Sequence, residues 1–152
     1  KPGEKMFLFN VTMQNHGGYT YDGGEFPTVT ISNLQGHYKE AEQYLSLIKE
    51  SDKAFEELVR YLKNYDEPTI VVMFGDHQPA VEQEFYEELY GKSLSKLSTE
   101  ELQQRYKIPF VIWANYDIES QDDLKTSPTI CQTCCLIRRM FRRMKLKTLH
   151  RR

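Results

Sequence analysis

Five consecutive apolar residues, Ile70, Val71, Val72, Met73 and Phe74, run directly into Gly75, Asp76, His77, Gln78 and Pro79. No other stretch limits the fold as tightly. An uninterrupted apolar run of this length, rich in β-branched residues, predicts a strand buried on both faces, as in parallel sheets covered by helices. Gly75 can turn or approach another group closely, and Pro79 cannot donate to a ladder. The arrangement would deliver a carboxylate and an imidazole to the C-terminal end of a central strand, where open α/β sheets bind ligands. Asp76 and His77 offer a hard oxygen and a borderline nitrogen, a donor pair suited to Zn2+ or Mn2+. The dipeptide also admits a plainer reading, with Asp76 capping the next helix and His77 in a surface loop.

A second stretch has the same grammar. Residues 6–13 are mostly apolar and are followed by Gln14, Asn15, His16, Gly17 and Gly18. Two strands that each end in a histidine-bearing, glycine-containing loop are best explained by one shared site. The segments Phe9-Asn-Val-Thr-Met-Gln-Asn-His-Gly-Gly-Tyr19 and Val72-Met-Phe-Gly-Asp-His-Gln-Pro79 resemble the C-terminal half of lipoteichoic acid synthase-like proteins. These are membrane phosphoglycerol transferases of the sulfatase and alkaline phosphatase superfamily. The resemblance covers residues 1–127. Gly-Asp-His at a strand end is typical of the whole superfamily, and Asn-His-Gly-Gly-Tyr is more specific to this branch.

The resemblance implies a partial alkaline phosphatase/sulfatase-like α/β fold, a largely parallel sheet with flanking helices. It implies a divalent metal ion, most often Mn2+ with Zn2+, Mg2+ or Ca2+ as alternatives, ligated by Asp76 and His77. It makes His16 the catalytic histidine that contacts the substrate phosphate and protonates the leaving group. Imidazoles suit such general acid work because they titrate near neutrality. Asn15 becomes a substrate-side hydrogen bonder, with Gln14 in support. The implied substrate is a glycerophospholipid, or another phosphate or sulfate ester, and the acceptor is a cell-envelope polymer. The whole protein would be anchored upstream in the membrane, with its site on the extracellular face of a bacterial cell and no nucleic acid partner. The family's nucleophilic Thr and its acidic metal ligand lie well upstream of the matching region. Thr12 and Thr20 stand near His16 in the wrong context for the nucleophile. The chain therefore carries half of a site, and by itself is expected to be inactive. A sulfatase or phosphodiesterase of the same superfamily is the alternative enzyme, and a basic-tailed binding module is the alternative outside catalysis.

Composition agrees with a globular domain: 152 residues, 39% hydrophobic and 28% charged. No apolar run approaches the roughly 18 residues of a membrane span, and no signal peptide is visible. An opening directly on an apolar run is expected of a segment that begins inside a fold. The net charge of −2 hides a split, because all 22 acidic residues lie at or before Asp123. Residues 1–124 hold eleven bases against those 22 acids, a net charge of −11, while 125–152 hold nine bases and all three cysteines.

Between the two apolar runs lies a long loop, 14–36, with Gly17, Gly18, Gly23, Gly24 and Pro27, a length usually reserved for function or disorder. Residues 28–31 could pair briefly as a strand. A helix is predicted over 37–64, where Ala41, Tyr44, Leu45, Ile48, Phe55, Leu58, Val59 and Leu62 recur at helical spacing. Asp52 falls on or near that stripe, either serving the site or making a buried structural hydrogen bond. His37, at the helix start, has only a structural reading. Helix followed by strand predicts a βαβ unit with parallel pairing of 6–13 and 70–74. A short helix over 80–90, acidic on its solvated face, should end at Gly91. Ser98-Thr-Glu-Glu-Leu predicts a capping box on a helix reaching Tyr106, with a third strand over 108–114.

From Ser127 the resemblance stops. Codons can be chosen for 128–137 that, read two bases later, spell the Leu-rich helix that continues the family. Together with the shift in charge and cysteine content, this favours an out-of-frame tail over 128–152 with few contacts to the sheet. The competing reading is a basic helix, with Ile137, Met140, Phe141 and Met144 at helical spacing among arginines, able to bind anionic membranes or nucleic acid. A zinc site from Cys131, Cys134, Cys135 and His150 fits no familiar module spacing.

Overall fold

A computed structural model of the chain describes residues 4–20, 28–120, 122 and 125. The tail 128–152, where a basic helix is one expectation, and its cysteines lie outside the described residues. The chain divides into two compact units, Lys1–Asn115 and Tyr116–Arg152. Among the described residues of the second unit there is no helix or strand. The first unit contains α1 (Lys39–Leu62), β1 (Ile70–Phe74), α2 (Gln83–Tyr90), a 3-10 turn (Leu94–Lys96), α3 (Thr99–Gln104) and β2 (Phe110–Ala114).

α1 follows the predicted periodicity only in part. Its most buried residues are Ala41, Glu42, Gln43 and Ser46, three of them polar. Downstream, Ser51, Phe55, Val59 and Leu62 are half-buried, while Ile48 and Leu58 are exposed. Asp52, one step beyond this stripe, is exposed, which removes the expected buried hydrogen bond. The N-terminus of α1 has no local side-chain cap. Instead Glu82 reaches it from outside the helix, and its carboxylate oxygens accept from the Glu40 and Ala41 N–H groups at 2.7 and 3.1 Å. A negative charge on otherwise unsatisfied N–H groups is the favourable arrangement there.

The core beneath α1 is aromatic. Tyr19, Tyr38 and Tyr86 are buried with Ala41. Tyr38 packs edge-on to Phe85 at 5.5 Å, and the Arg105 guanidinium lies over the Tyr86 ring at 4.8 Å. Sequence punctuation is obeyed where it is local. Gly91 closes α2 at φ 63°, a left-handed conformation suited to glycine. Ser98 caps α3 through a full capping box with Glu101. The face of α2 is less purely solvated than expected. Glu87 accepts from Gln83, Ser93 and the Leu94 N–H, which ties the 3-10 turn to the helix. These bonds, the Leu94 N–H first, hold its carboxyl below the usual carboxylate range.

Two expectations about the sheet are corrected. β1 and β2 pair antiparallel, with Ile70 opposite Ala114 and Phe74 opposite Phe110, so the sheet among the described residues is two-stranded and not parallel. The connection passes through two short helices rather than one crossover helix and returns to the end where β1 finished. There Gly75 N–H donates to the Pro109 carbonyl at 3.3 Å. The second correction concerns residues 6–13, which form no ladder. Met6, Phe7, Leu8, Phe9, Val11 and Met13 are between 62% and 87% exposed. A strand buried on both faces needs neighbours at both edges, and no described residue supplies them to this segment. β1 is likewise covered incompletely, with Met73 and Phe74 exposed. The run 28–31 is not a strand either, because side chains of α1 take its backbone N–H groups in place of a ladder.

Candidate functional site

Asp76 and His77 project from the loop that follows β1, as the apolar run requires. Gly75 is not there for conformational freedom. Its φ is not positive, and a Cβ added to it would meet only Ile108 Cβ at 3.9 Å, an ordinary contact. Its N–H instead prolongs the ladder by one bond, so the carboxylate and imidazole begin immediately where pairing ends. The loop is fastened on its far side. Gln78 Nε2 donates to the Lys107 carbonyl, and the Tyr86 hydroxyl donates to the Pro79 carbonyl at 2.6 Å.

Within that frame the two side chains stay open to solvent, Asp76 at 85% and His77 at 70%. Asp76 Oδ1 accepts from the His77 N–H at 2.9 Å, and Asp76 Oδ2 lies 3.5 Å from His77 Nε2. His77 Nδ1 lies 2.8 Å from the Gln78 carbonyl, which can fix the ring's tautomer. Two donors at this separation, one oxygen and one imidazole nitrogen, suit a single divalent ion with ligand distances near 2.1 Å. They supply only part of a coordination shell. Among the described residues, no group of three or more His, Cys, Asp or Glu side chains could hold a metal.

The second loop is built against α1. His16 N–H donates to the Met13 carbonyl at 3.1 Å and closes a turn that presents His16 to solvent. The ring's Nδ1 lies 3.3 Å from the Gly17 carbonyl. Asn15 is half-buried, and its Oδ1 accepts from the Ser51 hydroxyl of α1 at 3.0 Å. Gly18 has φ 101°, a conformation L side chains rarely adopt, and it reverses the chain before Tyr19. Tyr19 is 5% exposed, packs edge-on to Tyr44 at 5.6 Å, and donates its hydroxyl to the Asn15 carbonyl at 2.8 Å.

Burial pushes the Tyr19 hydroxyl above its ordinary value of 10.0, and Tyr44, Tyr86 and the Asp76 carboxylate push it further. His37 is exposed and packs edge-on to Tyr38 at 4.6 Å, a structural contact. Sequence reading passed over Ser51 and the anchoring role of Tyr19. Ser51 lies 36 positions from Asn15, and only the tertiary fold pairs them.

The sulfatase family model matches residues 1–132 of the chain. A cyclic beta-1,2-glucan modification protein of Rhizobium meliloti (strain 1021) is 29% identical over 120 residues, covering 74% of this chain and 18% of that relative. The capsular polysaccharide biosynthesis protein RkpI of the same organism is 32% identical over 76 residues, covering 50% of this chain and 12% of its own length. The chain thus spans less than a fifth of each of these relatives. No solved structure matches it.

Proposed function

The chain belongs to the sulfatase family, and we propose that it is the C-terminal part of a metal-dependent enzyme that transfers phosphoglycerol from a glycerophospholipid to a cell-envelope polysaccharide. The observation that carries this reading is the open Asp76–His77 pair at the end of β1, two matched donors on a family segment that also presents His16. The descriptions of the two relatives, glucan modification and capsular polysaccharide biosynthesis, support a glycan acceptor. The lipoteichoic acid synthase-like branch is supported by Asn15-His16-Gly17-Gly18-Tyr19. The same reading puts the working site on the extracellular face of the membrane, with the anchor upstream. No helix among the described residues is long and apolar enough to cross a membrane.

In this reading Asp76 and His77 hold a divalent ion, Mn2+ first, which would supply charge stabilisation for the ester oxygens. The residues of the chain do the rest. Asn15 Nδ2 donates to a non-bridging oxygen of the phosphoryl group. His16, as imidazolium, gives its proton to the departing alkoxide oxygen of the diacylglycerol as the P–O bond breaks. The nucleophile that takes the phosphoryl group comes from the upstream part of the protein, and the isolated chain does not turn over.

The test uses the longer protein that carries this segment, offered phosphatidylglycerol and an aryl sulfate in parallel. We expect diacylglycerol release from the lipid, little aryl sulfate hydrolysis, and loss of release to background in Asp76→Ala. His16→Gln should slow release about 10²–10⁴-fold, the usual worth of general acid catalysis. Faster turnover of the aryl sulfate would move the enzyme to the sulfatase reading. Turnover by the isolated 152-residue chain would overturn the incomplete site.

A further inference from the structure

The loop bearing His16 is pinned at one residue from two directions. Ser51 donates to the Asn15 side-chain oxygen at 3.0 Å, and Tyr19 donates to the Asn15 main-chain oxygen at 2.8 Å. Both bonds terminate immediately before His16. Each donor is itself fixed, Ser51 by its place on α1 and Tyr19 by burial against Tyr44. The His16 ring, in contrast, is exposed, and its Nδ1 lies 3.3 Å from its neighbour's carbonyl. Fastening the backbone one residue earlier restricts where the imidazole can go without burying it.

The Ser51 bond has a second consequence. An amide side chain carries one acceptor end and one donor end. As assigned, the Ser51 hydroxyl donates to Oδ1 and holds the amide, and Asn15 Nδ2 has no partner among the described residues. Two N–H groups are thereby left for an anionic ester oxygen. If the amide were turned over, it would offer that oxygen a carbonyl and repel it.

We propose that Ser51 and Tyr19 are positioning residues that, through Asn15, hold the Asn15 amide and set the placement of His16. The proposal rests on the reading of His16 and Asn15 given above. Neither Ser51 nor Tyr19 touches the substrate.

The experiment uses the complete 152-residue chain, isotopically labelled and carrying Phe7→Lys and Phe9→Lys to keep it monomeric, otherwise as wild type and as Ser51→Ala, Ser51→Thr and Tyr19→Phe. Amide order parameters of residues 14–18 read the tether. We expect values near 0.85 in wild type and Ser51→Thr, falling below about 0.6 in Ser51→Ala and Tyr19→Phe, with β1 and β2 amides unmoved. Titration with sn-glycerol 1-phosphate and Mg2+, followed at the Asn15 side-chain amide and the His16 ring, reads the consequence. Ser51→Ala should weaken binding about fivefold, the worth of one hydrogen bond, and Ser51→Thr should restore it. A loop as ordered in Ser51→Ala as in wild type overturns the proposal. So does a loosened loop with unchanged binding. If the wild-type chain shows no response to glycerol phosphate, the functional reading fails at this loop, and the order parameters still decide the tether.

Discussion

Asn115 shows how much a single side chain can organise. Its Nδ2 approaches the carbonyls of Leu62, Tyr65 and Glu67 at 3.2, 3.0 and 2.9 Å, and its Oδ1 accepts from the Thr69 N–H at 2.8 Å. Its own N–H donates to the Thr69 carbonyl at 3.1 Å. One amide thus closes the C-terminal end of α1, shapes the 63–68 turn and aligns β1 with β2. In sequence it is only the first polar residue after an apolar run, and it reads as the start of a loop. Asn115→Ala would strand the part-buried Thr69 donor and Leu62 carbonyl and release the exposed Tyr65 and Glu67 carbonyls. We expect a loss of about 2–3 kcal/mol in urea unfolding, since groups left without partners cost more than the bond itself contributes. Asn115→Asp should recover only part of this, because it keeps the acceptor and loses the donors. A change below about 0.5 kcal/mol, the level of an ordinary surface substitution, would refute the role.

At the scale of elements, α1 acts as a clamp as well as a packing surface. Glu42 is 2% exposed, and its carboxylate accepts from the Ile31 and Gly36 N–H groups at 3.0 Å each. One turn later, the fully buried Ser46 hydroxyl accepts from the Thr28 and Val29 N–H groups, both at 2.9 Å, and donates to the Glu42 carbonyl. An i, i+4 pair on a helix shares a face, and here that face holds four backbone donors of the 28–36 segment. This explains why 28–31 has β-type residues and no strand: its N–H groups are already satisfied by side chains. Glu42→Ala should free the Ile31 and Gly36 amides. Their hydrogen exchange should accelerate selectively, with a stability loss of about 2–4 kcal/mol for two charge-assisted bonds. Protection unchanged at Ile31 and Gly36 would show that the segment is held by something else.

At the scale of the whole molecule, the exposed apolar run at 6–13 dominates solution behaviour. Large exposed apolar patches promote association, and unpaired strand-like segments do so most readily. The net charge of −2 gives little colloidal protection. We expect the chain to bind a hydrophobic dye and to self-associate at micromolar concentration, and Phe7→Lys with Phe9→Lys to suppress both. Equal light scattering from wild type and double variant would refute this. The sequence by itself determined what depends on neighbours along the chain. It placed strands over 70–74 and 108–114, which the structure has at Ile70–Phe74 and Phe110–Ala114, with the Asp76–His77 pair just beyond the first. It also placed the long helix, the Gly91 terminus and the Ser98 capping box, because periodicity and capping are local. Tertiary structure alone decided the antiparallel pairing of β1 and β2, since strand direction depends on where a connection returns and leaves no mark on the apolar pattern. It also decided that residues 6–13 pair with no described strand. It decided, too, which polar residues became anchors. Ser51 with Asn15, Glu82 with the start of α1, and Asn115 with the turn after it are separated by 36 to 53 positions. A hydrogen bond across such a distance forms only when the packed chain brings donor and acceptor within 3 Å or so of each other.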